Sequence, residues 1–346
     1  MTLIIFILVL CVTIMVHELG HFICAKKAGV YVYEFSLGMG PKILSKKRKD
    51  DPTEYNIRLL PIGGFVSMAG EDLEEDNKIS KDEQLCNKSW GWRFVTLIAG
   101  IAFNFFLAII LLFIVGIFNG VPKDETKIAY IQEQYPIAET NIEIGDKITK
   151  VNKVKIKSAE MLVLELTVHS GETLDFEVEH TNGIKEVISV KPIYTEKGDQ
   201  KGYAYGFSLD NTKEKGFFVS VKYAFVQTKN LVSQMVKTIY YLITGQIGID
   251  SLSGPIGIYT VVGSAAEAGI LSILYLIAYL CINVGIINLI PLPAFDGGRI
   301  LFLIIEKIKG SKVNPKVENV IHSIGFILLM ALMIYVTYHD ILRVFG

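Results

Sequence analysis

Residues 2–21 read TLIIFILVLCVTIMVHELGH, and two features of this stretch decide the fold. Its first part, residues 2–16, carries no charged side chain, and residues 94–118, 275–290 and 324–338 are equally free of charge. A helix crossing the hydrocarbon core of a bilayer needs about 20 apolar residues. The longer runs reach that length, and uncharged neighbours extend the shorter ones. Composition agrees: 51% of the 346 residues are hydrophobic and only 20% are charged. One such run can arise inside a soluble domain, but four specify a polytopic α-helical membrane protein with about four transmembrane helices. The lipid bilayer is thus its first partner. A formal net charge of −1 gives no reason to expect nucleic acid. Cys11, Cys24, Cys86 and Cys281 have neither disulfide-framework nor Cys-x-x-Cys spacing. No Lys or Arg precedes the first run and no small-residue cleavage site follows it, so the first span is expected to be retained.

Charge orients the spans. Lys26, Lys27, Lys42 and Lys46 to Lys49 follow the first run, and Lys307, Lys309, Lys312 and Lys316 precede the last. The positive-inside tendency assigns both loops to the cytoplasm, which leaves both termini and the segment between spans two and three outside. Residues 1–120 are expected to hold the first two spans and a cytoplasmic, membrane-associated β-hairpin, with two short apolar strands around the Pro61-Ile-Gly-Gly64 turn. Residues 71–76, rich in acid, read as a solvated loop. Residues 121–212 turn polar and β-patterned, with a helix over 158–169 and a hairpin turning at Asn182-Gly183. This is an inserted extracytoplasmic α+β domain. Residues 213–268 read as an amphipathic membrane-surface helix and linker, with 239–260 also able to enter the bilayer, and 269–346 as the last two spans.

The second feature is His17-Glu18-Leu19-Gly20-His21, at the end of the first run. On a helix, residues i and i+4 share one face about 6 Å apart along the axis. Both imidazoles then reach one metal ion, with Glu18 beside it to take a proton from water. Three ionisable groups at the end of a span are costly unless something uses them. The alternative is that they sit at the headgroup level and reach out to water. Two nitrogens leave a catalytic metal short of its usual third protein ligand. Asp296 is the candidate, in Asn288-Leu-Ile-Pro-Leu-Pro-Ala-Phe-Asp296-Gly-Gly-Arg299, where two prolines break the third run. A helix N-cap is the other role open to it. Spans one and three run in the same direction, so His21 and Asp296 meet at one depth.

This pair of motifs resembles the site-two protease family of intramembrane zinc metalloproteases, in particular the bacterial regulator-of-sigma-E protease group. Ser36-Leu-Gly-Met-Gly-Pro41, Pro61-Ile-Gly-Gly64, Ala99-Gly-Ile-Ala-Phe-Asn104 and Ser253-Gly-Pro-Ile-Gly257 extend the resemblance over nearly the whole chain. Phe295 departs from it, standing where leucine is more familiar. The resemblance implies one Zn²⁺ per chain on His17, His21 and Asp296, with Glu18 catalytic. Through residues 136–148 the outer domain is similar to a single PDZ domain. The implied substrates are single-pass membrane proteins, among them anti-sigma factors and signal-peptide remnants, cut in the bacterial cytoplasmic membrane. Asn288 and Asn104 are candidate oxyanion donors, although an interhelical hydrogen bond also suits Asn104. Gly63 and Gly64, within the strand segment, are candidates for substrate binding by β-augmentation. The rival readings are a prenyl-protein type of metalloprotease, which takes Glu as third ligand, and a non-catalytic PDZ scaffold or metal carrier, which has no use for Glu18.

Overall fold

The computed structural model describes residues 1–71, 77–122, 126–197, 200–249 and 252–345. In chain order it opens with α1 (Thr2–Lys27), β1 (Val32–Lys47), β2 (Glu54–Met68) and α2 (Trp90–Asn119). β3 (Val121–Pro122), β4 (Ile128–Ile131), β5 (Lys147–Val151), β6 (Val154–Lys155) and α3 (Ala159–Val168) follow. Then come β7 (Leu174–Glu179), β8 (Lys185–Val190), β9 (Ile193–Lys197), β10 (Gln200–Ala204), β11 (Phe207–Leu209) and β12 (Lys213–Glu214). α4 (Phe217–Ile243), α5 (Pro255–Glu267), α6 (Ile270–Leu289), α7 (Asp296–Lys309) and α8 (Pro315–Phe345) complete the chain. The chain divides into two compact units, Met1–Leu112 with Ile249–Gly346, and Phe113–Gly248.

In the first unit, apolar length makes the helices. Among the described residues four are long and apolar enough to cross a membrane: α1, α2, α6 and Pro315–Arg343 of α8. Three of the four uncharged runs fall wholly in these helices, and the run 275–290 ends one residue beyond α6. Even α6, with 20 residues, extends about 30 Å at 1.5 Å per residue, the thickness of the hydrocarbon core. It stops where Pro291 and Pro293 remove amide donors. α7 starts at Asp296 with Phe295 in the N-cap position and no side-chain cap, so the carboxylate is not spent on capping.

The expected hairpin is corrected. β2 runs unbroken from Glu54 to Met68, and its two ends do not pair with each other. The first half of β1 lies between them: Phe35 is opposite both Val66 and Tyr55, and Leu37 opposite both Gly64 and Ile57. Its second half returns to the outer side, with Leu44 opposite Ile57 and Lys47 opposite Glu54. Gly38 and Gly40, at φ +87° and +82°, let β1 bend, and a Cβ at Gly38 would come 2.5 Å from the Leu60 carbonyl oxygen. Those glycines and Pro41 interrupt the apolar alternation that marks a strand, which hides β1 in the sequence. Residues 64–68 pair on one side only among the described residues. The acidic residues 72–76 lie outside the described residues, and Glu71 beside them pairs with Arg299 at 2.9 Å.

The second unit packs an antiparallel sheet of order β6-β5-β7-β8 with α3. Leu174, Phe176 and Val178 alternate inward on β7 and are at most 1% exposed, joining Ile148, Val151 and Leu162 in one core. Ser158 caps α3, its Oγ accepting the Met161 amide at 3.3 Å. The hairpin turns where expected: Asn182 Oδ1 accepts the Ile184 amide at 2.9 Å and Gly183 has φ +82°. α4 docks on α3 through Glu165, which is buried but accepts from Tyr241 Oη at 2.8 Å and lies 2.5 Å from Lys237 Nζ. A charge buried this deeply persists only when paired.

Candidate metal centre

α1 presents His17 and His21 one turn apart, as their spacing requires, with ring centroids 4.8 Å apart. The start of α7 brings Asp296 to both. Its Oδ2 is 3.0 Å from His17 Nε2 and 3.2 Å from His21 Nε2, and the two Nε2 atoms are 3.2 Å apart. Both histidines are 7% exposed. Asp296 Oδ2 has no regular hydrogen-bond donor. Three buried lone-pair atoms converge here.

The outer contacts of these rings are fixed by a neighbouring span. His21 Nδ1 donates to the Thr96 carbonyl on α2 at 2.8 Å, so its Nε2 lone pair faces Asp296 and His17. The Asn104 carboxamide lies 3.3 Å from His17 Nδ1, on the side of the ring away from Asp296. α2 approaches this closely because it has no side chain at Gly100, where a Cβ would be 2.4 Å from His21 Nε2. Gly20 on α1 answers it, with a Cβ position 2.4 Å from the Ala99 carbonyl oxygen. Sequence reading passed over Thr96, Gly20 and Gly100. The signal available was a small residue inside the quoted Ala99–Asn104 motif.

Asp296 is set by a turn with little freedom. Cβ atoms at Gly297 and Gly298 would lie 2.2 Å from the Ile290 and 2.5 Å from the Leu292 carbonyl oxygens, so only glycine lets α7 start on the end of α6. Ala294, a non-glycine residue, has φ +78°. Such a conformation costs about 1–3 kcal/mol and persists only where surrounding contacts hold it.

Glu18, His17, His21, Asp296 and Asn288 line one cavity of ≈ 310 Å³, together with Phe65 and Val66 of β2. A Cβ at Gly64 would be 3.8 Å from Glu18 Cγ and 2.8 Å from the Ser36 carbonyl oxygen, so the strand passes beside Glu18 with no room for a side chain. At Gly63, with φ +84°, an added Cβ would instead lie 3.2 Å from Met39 Cε and 3.9 Å from Ile14 Cδ1. Asn288 thus shares a cavity with the metal-type donors, Asn104 braces a ring, and the two glycines shape the strand.

Helices of spanning length around a buried His, His, Asp donor set define a membrane-embedded metalloenzyme. The chain matches the Peptidase family M50 model over residues 5–332 and belongs to that family. It is similar over 98% of its length to the zinc metalloprotease RasP of Geobacillus kaustophilus, at 32% identity and 97% coverage of that protein. RasP of Oceanobacillus iheyensis is 34% identical, with 99% of each chain covered. The regulator of sigma-W protease RasP of Bacillus subtilis is 32% identical, again with 99% of each covered. A solved PDZ domain of the SdrC-like protein from Listeria innocua covers 27% of this chain at 21% identity, and its TM-score of 0.22 carries no argument. The chain is a zinc metalloprotease and an integral membrane protein. The donor set fits zinc. A tetrahedral ion with bonds of about 2.0–2.1 Å separates its ligand atoms by ~3.3 Å, close to the 3.0–3.2 Å observed here.

Proposed function

We propose that this metalloprotease cuts single-pass membrane proteins within or at the edge of the bilayer. The observation that carries the reading is one cavity, at the ends of apolar helices, that joins Glu18, the three metal-type donors and β2. His17, His21 and Asp296 would hold zinc, which when bound supplies a Lewis acid for the scissile carbonyl. Glu18 takes the proton of the attacking water and returns it to the leaving amine. Asn288 donates to the oxygen that gains charge. A helical substrate must first become extended, because its backbone is otherwise hidden. Among the described residues, 64–68 pair on one side only, and their open edge offers the unwound segment main-chain partners.

Basic clusters after α1 and before α8 support an active site toward the cytoplasm of a bacterial membrane, with the termini outside. The β5–β8 sheet and α3 support a PDZ-like outer domain. The similarity to a regulator of sigma-W protease supports anti-sigma factors as substrates, with signal-peptide remnants the second class. The deciding test is Glu18→Gln in purified protein with a transmembrane substrate. Zinc content is expected to stay while cleavage is abolished, since the amide is nearly isosteric but accepts no proton. A non-catalytic metal carrier is the right reading if cleavage is absent from the parent protein as well.

A further inference from the structure

The turn that delivers Asp296 poses a complete accounting of backbone donors. Between Ile290 and Phe295, Pro291 and Pro293 have no N–H. The amides of Ile290, Leu292 and Phe295 donate to backbone carbonyls. Ala294 remains, two residues before Asp296 and in the left-handed region at φ +78°. Its N–H donates at 3.1 Å to Nδ1 of His322, which projects from α8. Ala294 is half-buried at the edge of the cavity, and among the described residues no backbone carbonyl accepts from its N–H.

His322 is itself held. Its ring lies 5.8 Å from that of Phe302 on α7, and its Cε1 would be 3.2 Å from a Cβ at Gly298. One turn further along α8, a Cβ at Gly325 would fall 2.3 Å from Pro293 Cβ, so the helix backbone rests directly on the turn. Only 6% of the span window of α8 is buried, and its deepest other contacts lie at Val336 and at Asp340, which accepts the Gly257 amide of α5 at 2.8 Å. From this mostly exposed helix α8 places its histidine on a strained residue two positions before the carboxylate.

We propose that His322 is a positioning residue of the metal centre, its Nδ1 holding the Ala294 amide so that the turn presents Asp296 to His17 and His21. The proposal rests on these three residues being the zinc site. Accepting at Nδ1 leaves the proton of the neutral ring on Nε2, which has no partner among the described residues. His322 therefore acts through the turn, as outer contacts do at metal sites, where their loss typically costs about 10–100-fold in metal affinity.

The test uses the full-length protein in detergent, with zinc affinity measured against a chelator and the visible absorption spectrum of the cobalt-substituted form recorded. His322→Ala is expected to weaken zinc by about 10–100-fold and to shift the cobalt bands. His322→Asn sets an amide oxygen where Nδ1 was and should restore both readouts. His322→Gln carries its acceptor one methylene farther and should not. Adding Ala294→Gly to His322→Ala removes the strain and should recover part of the affinity. Asp296→Ala, run alongside, separates the two levels: if it leaves zinc affinity intact, the site assignment falls and this proposal with it. If Asp296→Ala weakens zinc while His322→Ala does not, only the role of His322 is overturned. Recovery by Gln rather than Asn also overturns it, because the far nitrogen would then be the working one.

Discussion

Gly100→Ala is a one-methyl test of how the metal centre is assembled. The new Cβ would lie 2.4 Å from His21 Nε2 and 2.8 Å from His17 Cε1. Non-bonded contact requires about 3.5 Å, so α2 or the two rings must move by about 1 Å. The rings have little room to yield, because His21 Nδ1 is bound to the Thr96 carbonyl of the same helix. A retreat of α2 would instead open its close contact with α1, where Ala99 abuts Gly20. Overpacking of this kind costs about 1–3 kcal/mol. If that strain falls on the metal-binding arrangement, zinc affinity drops by ~5–150-fold. The assay is chelator competition on detergent-purified protein, with cleavage of a transmembrane substrate measured in parallel. Gly91→Ala is the control, lying on the same helix with nothing within 4 Å of its Cβ position, and should change neither readout. Parental zinc affinity and activity in Gly100→Ala would refute the close packing of α2 against the imidazoles.

Asp296→Ala should lose activity and much of the bound zinc, because only two protein donors remain; full metal stoichiometry would assign the third ligand elsewhere. Prolines at Phe65 and Val66 test strand pairing. Adjacent amides on a strand point to opposite edges, so one of the two variants removes a donor from the open edge of residues 64–68. That variant is expected to keep its zinc and cleave a stable transmembrane helix slowly; if both cleave at the parental rate, the strand is only structural. Ile57, which pairs on two sides, suits this test poorly. Glu34 supplies a pH dependence. Burial raises its pKa, but hydrogen bonds from Ser36, Asn56 and Arg58 together with the Arg58 charge outweigh this and hold the carboxyl at about 2. A depressed carboxylate stabilises the fold above the ordinary value of 4.5 and loses that contribution as pH falls toward 2. At ~1.4 kcal/mol per unit the shift sets an upper limit of about 3.5 kcal/mol, which solvent screening of this partly exposed pair lowers. Thermal unfolding of the parent and Glu34→Gln should therefore converge between pH 4.5 and 2, and a constant gap across that window would contradict the ion pair.

The local chemistry was legible in the sequence because it is periodic and short-range. Uncharged length alone located the four described helices that are long and apolar enough to span a membrane. A five-residue motif put His17, Glu18 and His21 on adjacent helical positions, and two prolines followed by Asp296 marked the break after α6. The hairpin at Asn182-Gly183 and the Ser158 cap were equally local. What depended on partners far along the chain was hidden. β1 escaped notice because Gly38, Gly40 and Pro41 break its alternation, and its place between the two ends of β2 is a matter of pairing, not propensity. Thr96 and Gly100 are ordinary residues of an apolar helix until α1 crosses at van der Waals distance. His322 reads as a lone histidine in a span, because nothing in its own neighbourhood records that it accepts the Ala294 amide. Sequence determined which groups had to be satisfied, and the tertiary structure decided by what, since hydrogen bonds and close contacts are fixed by distance in space and not by distance along the chain.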